Sequence, residues 1–182
     1  MIRSPRPEIL YAEDFDLYHR VQPLGRIARI DEPLLLYRQH EGGASKRFTE
    51  TMRASAMRVL ADRHAALLGE DRAVALARLL VLHNMGGEPV PDRATLVTLG
   101  EGIAALQAAF LADVRPDAES ARLIRWETAR RWAKIGRAGL RSGAVGLGDV
   151  LAARPAHLGL GYAGIGTLLE SATVGAVRRM RG

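Results

Sequence analysis

The chain has 182 residues, 48% hydrophobic and 5% aromatic, enough for one ordinary folded domain or a small one with an appendage. It has no cysteine, which excludes disulfides, thiolate zinc sites and a cysteine nucleophile. Its formal charge is +6, from 26 basic and 20 acidic residues, and its richness in Ala, Leu and Arg leans helical.

Residues 1–7 lack the apolar core of a signal peptide. The longest uncharged stretch, 155–169, is glycine-rich and too short to span a bilayer. The expectation is a cytoplasmic protein, peripheral at the inner face of the membrane at most.

Residues 13–22 read as a helix stopped by Pro23 and the Leu24-Gly25 turn. Asp14, Leu17, Tyr18 and Val21 stand at i, i+3, i+4 and i+7, so they share one face, taken as the inward one. Glu13, Asp16 and Arg20 share another, with Asp16 and Arg20 an ordinary i, i+4 ion pair. Acidic residues in a first turn also suit the free N–H groups there. Residues 26–30 alternate polar and apolar, as a half-buried strand does, and Asp31-Glu32-Pro33 turns the chain. Residues 34–38 form a continuous apolar run ending in Arg38, the pattern of a strand covered on both faces. Arg38 and His40, two apart, fall on one face, and the Gly42-Gly43 loop follows.

Beyond residue 48 the pattern is helical. Helices are predicted over about 48–68, 71–84, 93–113 and 117–141, broken at Gly69, Gly86-Gly87-Glu88-Pro89 and Val114-Arg115-Pro116. Residues 142–182 are glycine-rich, with two more short helices expected over 147–153 and 167–180. Residues 122–141 hold seven basic side chains against one acid, Glu127. That helix reads first as a solvated face, and second as a surface for anionic lipid, phosphate or nucleic acid.

The succession Glu13-Asp14, Gly25-Arg26-Ile27-Ala28, Glu32-Pro33-Leu34-Leu35, Tyr37-Arg38-Gln39-His40 and a loop with Ser45 resembles family 2 glycosyltransferases of the GT-A type. The match covers residues 9–48, about a quarter of the chain. The resemblance implies an α+β fold, mostly α: the C-terminal remnant of a GT-A mixed sheet (one short helix, two strands), then a helical extension. It implies transfer of a sugar from a nucleotide-diphosphate donor to an acceptor hydroxyl with inversion. An acceptor hydroxyl needs a base as its bond forms. The resemblance gives that role to Asp14, with Glu13 positioning the acceptor or orienting the base. It places His40 near a divalent cation, Mg²⁺ or Mn²⁺, and the donor's pyrophosphate, with Arg38 adding positive charge there. The acceptor would be a glycan or a lipid-linked sugar.

Only twelve residues precede Glu13, where the family carries a nucleotide-binding half with an Asp-x-Asp metal motif. The expectation is therefore the C-terminal part of such an enzyme, truncated or split, whose donor half is supplied elsewhere. Residues 1–48 form the end of the catalytic domain in this reading, and residues 49–182 the extension. Such an extension serves acceptor choice, oligomerisation or membrane docking, the last through the basic helix 117–141. Two alternatives stand beside it: a non-catalytic helical interaction module, and a basic nucleic-acid-binding helical protein, ranked lower. The G-x-G-x-x-G at residues 159–164 is rejected as a dinucleotide site, because no buried strand precedes it. His19, His64, His83 and His157 show no metal-ligand spacing and read as surface or core histidines.

Overall fold

The structure, a computed structural model, describes residues 6–25, 27, 28, 30–36, 47–154 and 165–181. All regular structure among them is helical. The order is α1 (Glu13–Val21) with a 3-10 turn at Gln22–Leu24, α2 (Thr49–Leu68), α3 (Glu70–Leu79) running into a π-helical segment at Leu80–Met85, α4 (Arg93–Val114), α5 (Ala118–Ser142), α6 (Leu147–Ala152) and α7 (Ile165–Arg181). Each predicted helix is present within a few residues of its expected ends. The local chemistry explains several boundaries. Asp92 accepts the Thr95 N–H at 2.7 Å and Asp117 accepts the Ser120 N–H at 2.9 Å, capping α4 and α5. These bonds hold both carboxyls below the usual carboxylate range. Gly143, at φ +84°, ends α5 in the left-handed conformation that glycine adopts without strain.

The expected mixed sheet is absent: no strand occurs among the described residues, and the fold is all-α rather than α+β. Residues 27, 28 and 30–36, read as one strand and the start of another, run as bends and coil. The apolar pattern there is strand-like, but a strand needs a neighbour, and an isolated pair is marginal in water. No strand among the described residues offers one. Residues 37–46, the end of the second predicted strand and its loop, lie outside the described residues.

The chain divides into two compact units, residues 1–78 and 79–182. In the first, Ile9, Ala12 and Val59 form a small core, with Phe15 and Met52 packed against it. The Leu10 N–H donates to Ser55 Oγ at 3.0 Å, and the rings of Tyr11 and Phe48 stack at 4.3 Å between centroids. These contacts lay α1 on α2.

In the second unit α5 is the central helix, and its small residues let neighbours approach closely. A Cβ on Gly136 would lie 2.8 Å from Val150 Cγ1, and one on Gly139 2.9 Å from both Val145 and Val90. The Trp132 ring covers Gly100 of α4, and Gly175 of α7 sits against the Leu140 carbonyl. Helix α4 is long and apolar enough to cross a membrane by length and composition; Leu96, Leu99 and Ile103 are buried, and 28% of its most apolar 18-residue window is. In the π-helical segment the Gly86 N–H reaches back to the Val81 carbonyl at 2.8 Å. The buried His83 ring bonds the Glu88 carbonyl at 3.0 Å, fixing the turn that leads to Pro89. This histidine is a core residue, as expected.

Candidate functional site

Glu13 and Asp14 open α1, and both are exposed. Asp14 Oδ1 accepts the Phe15 N–H at 2.7 Å, and Glu13 Oε1 accepts the Tyr11 N–H at 3.0 Å. The second bond holds Tyr11 at φ 62°, a left-handed conformation unusual for a tyrosine, which the Phe48 stack also supports. Both carboxylates thus serve the backbone at the helix start, the structural use expected of first-turn acids.

The face that α1 turns to α2 is not the predicted one. Ala12, Phe15, Asp16 and His19 point inward, whereas Asp14 is exposed and Leu17 and Tyr18 are 39% and 57% exposed. Asp16 is only 2% exposed, and both of its oxygens are bonded: Oδ1 to Arg6 at 2.7 Å, Oδ2 to Arg20 at 2.8 Å. Arg6 reaches on to Asp62 of α2, and that bond, with the one to Asp16, raises its pKa further. Burying Asp16 is tolerable because two guanidiniums replace its water. The i, i+4 pair with Arg20 was visible in sequence; Arg6, ten residues earlier and before the helix, was not.

Next along this interface stand His19 of α1 and His64 of α2, both half-buried. Burial lowers the pKa of each, and Arg63 lowers both further; the neighbouring His19 adds to the effect on His64, while Asp16 pulls His19 the other way. Arg63 itself donates to Gln22 at 2.7 Å. Nothing in sequence linked His19 to His64, forty-five residues apart, because only the docking of α1 on α2 brings them within electrostatic reach.

A pH dependence follows. Both imidazoles have native pKa values below the ordinary 6.5, so the unfolded chain binds more protons in the window just beneath that value. Stability is full above about pH 7 and falls as pH drops through about 6.5 toward the lower native values. Thermal melts between pH 7.5 and 5 should show this loss, and His19→Gln should flatten it. Imidazole titrations at or above 6.5 by NMR would contradict the arrangement.

Arg38 and His40, the expected pyrophosphate and metal contacts, lie outside the described residues. Among the described residues no group of three or more His, Asp or Glu could hold a metal ion. Asp14 and Asp16 do not converge, since one faces solvent and the other is bonded by two arginines, so this pair does not fit a divalent cation. On α5, Glu127 is bonded by Arg130 and Arg131, which push its pKa down to about 2. Two cations of the basic stretch are thereby occupied within the helix itself.

No known protein family, curated protein or solved structure matches the chain. The resemblance to family 2 glycosyltransferases is corrected on both counts. Its motifs were to mark the edge of a mixed sheet, which the all-helical structure lacks, and no family matches. What it left unexplained is a run of bare apolar side chains. Leu24, Ile27 and Ile30 are more than half exposed, and Leu34, Leu35 and Leu36 are 71%, 79% and 96% exposed. The backbone of residues 34–36 makes no backbone hydrogen bond to another described segment.

Proposed function

We propose that this chain is a helical interaction module, and that it binds a partner protein by lending residues 34–36 as a strand to the edge of the partner's β-sheet. The exposed Leu34, Leu35 and Leu36 carry the reading. Burying one leucine side chain is worth about 1.5–3 kcal/mol, and soluble monomers rarely leave such residues bare together. The segment is apolar and its backbone makes no backbone hydrogen bond to another described segment; a sheet edge supplies such bonds, with pockets for alternate side chains. A second copy offers less, because two such segments alone would make only a two-stranded ribbon.

Leu35→Asp is the test, since Leu35 is on the surface and its replacement leaves the helices untouched. The natural chain is expected to bring down a β-sheet partner when isolated from its own cells, and Leu35→Asp should stay folded and bring down none. Retention of that partner by Leu35→Asp would remove the segment from the interface. The second reading, inverting sugar transfer with Asp14 as base, has the solvent-open Asp14 carboxylate in its favour. A transferase activity abolished by Asp14→Asn and indifferent to Leu35→Asp would reverse the order of the two.

A further inference from the structure

Helix α5 packs one side against its neighbours and leaves the other to solvent. Ala129, Trp132, Gly136, Gly139 and Leu140 are buried, and the opposite side carries Arg130, Lys134, Arg137 and Arg141 at steps of four, three and four residues. Arg130, Lys134 and Arg141 are exposed and Arg137 is half-buried. The four fall within about a sixth of a turn of each other and span about 16 Å along the helix. Arg131, also exposed, flanks the row.

The row keeps most of its charge. Glu127, one turn before Arg130, is bonded by Arg130 and Arg131 and so offsets one of the two. It is the last acid before Asp149, which is itself held by Arg93 and by the Gly146 N–H. Among the described residues Lys134, Arg137 and Arg141 form no ion pair, with Glu170 of α7 or with any other acid. Five cations and one acid leave four net positive charges on this face. A solvated helix face ordinarily mixes its charges so that they pair, and residues 128–148 contain no acid to pair with. Arg178 of α7, whose Nη1 donates to the Arg141 carbonyl at 3.1 Å, sets one more exposed cation at the end of the row.

We infer that the exposed face of α5 docks on the phosphate backbone of a nucleic-acid duplex. Charge complementarity selects a polyanion. The form of the face selects among polyanions, because a straight row of cations on one helix matches a rigid line of phosphates. Each strand of a duplex offers such a line, with one phosphate about every 3.4 Å along the axis. A membrane is the poorer fit. Beyond Leu123, none of the large apolar side chains exposed among the described residues lies on α5, and a helix that binds a bilayer surface needs such a face to enter it. Cations alone contact phosphates and not base edges, so the binding carries no sequence preference. This inference is independent of the role given to residues 34–36.

Fluorescence anisotropy of a labelled, mixed-sequence DNA duplex titrated with the full chain is the test. The dissociation constant should lie between about 1 and 100 µM at about 0.15 M salt, the range of non-specific binding. The logarithm of the affinity should fall with the logarithm of the salt concentration at a slope of about three to four, as counterions leave about four phosphates. Lys134→Gln with Arg141→Gln should weaken binding about tenfold or more and lower that slope by about two, while the helical circular dichroism stays unchanged. Arg58→Gln with Arg72→Gln, at exposed positions of α2 and α3, removes the same charge and should weaken binding less than about threefold. A dissociation constant above about 100 µM or a flat salt dependence overturns the inference. So does undiminished binding by Lys134→Gln with Arg141→Gln, or an equal loss in the two double variants. Polyglutamate that displaces the duplex charge for charge would make an acidic protein the partner, and tighter binding to phosphatidylglycerol vesicles than to the duplex would make it a membrane. Either result overturns the inference as well.

Discussion

Asp16→Ala should destabilise the first unit by about 3 kcal/mol, because it leaves Arg6 and Arg20 facing a buried, empty site. Removing one partner of a buried ion pair typically costs ~3–5 kcal/mol, and the lower end applies since both arginines are about a quarter exposed. Asp14→Asn, by contrast, changes an exposed side chain and should stay within about 0.5 kcal/mol of the natural protein. Urea denaturation of the two variants checks the pair. Equal losses, or a larger loss for Asp14→Asn, would mean that α1 presents its other face to α2.

Gly175→Ala should have the largest effect in the second unit. A Cβ there would stand 1.8 Å from the Leu140 carbonyl oxygen, a backbone atom of α5 that cannot rotate away. Either α7 separates from α5 or one helix bends, at a cost of about 3 kcal/mol or more, the upper range for overpacking. Gly148→Ala is the internal control, since nothing lies within 4 Å of its added methyl. Thermal unfolding should therefore show a large fall for Gly175→Ala and little change for Gly148→Ala.

The helices were legible in the sequence because their signals are local. Asp92 and Asp117 stand where a cap belongs, Gly69 and Gly143 where a helix ends, and Pro116 where a new one begins. The predicted strands failed for a non-local reason. Residues 34–36 carry the apolar run of a buried strand, but burial is supplied by neighbours, and the described residues supply none.

The site was legible only in part. Spacing showed that Asp14 and Asp16 face different ways, but not which way is inward. Hydrophobic weight favoured Leu17 and Tyr18, whereas the choice fell to Ile9, Ala12 and Phe15 on Val59 and to the ionic bonds of Asp16. A charged residue is assigned inward only if its partners are known, and Arg6 lies outside the helix that the pattern described. The pairing of His19 with His64 has the same character: it belongs to the docking of two helices and leaves no trace in either one.

Amide hydrogen exchange at residues 34–36, in the chain alone and in complex with a partner that Leu35→Asp fails to bring down, tests the interaction module most directly. Alone, the three amides should exchange at nearly unprotected rates, since no backbone partner among the described residues holds them. In the complex, alternate amides should slow by about a hundredfold or more, as strand pairing at a sheet edge requires. Amides that exchange equally fast in both states, in a complex shown to be intact, would contradict the account.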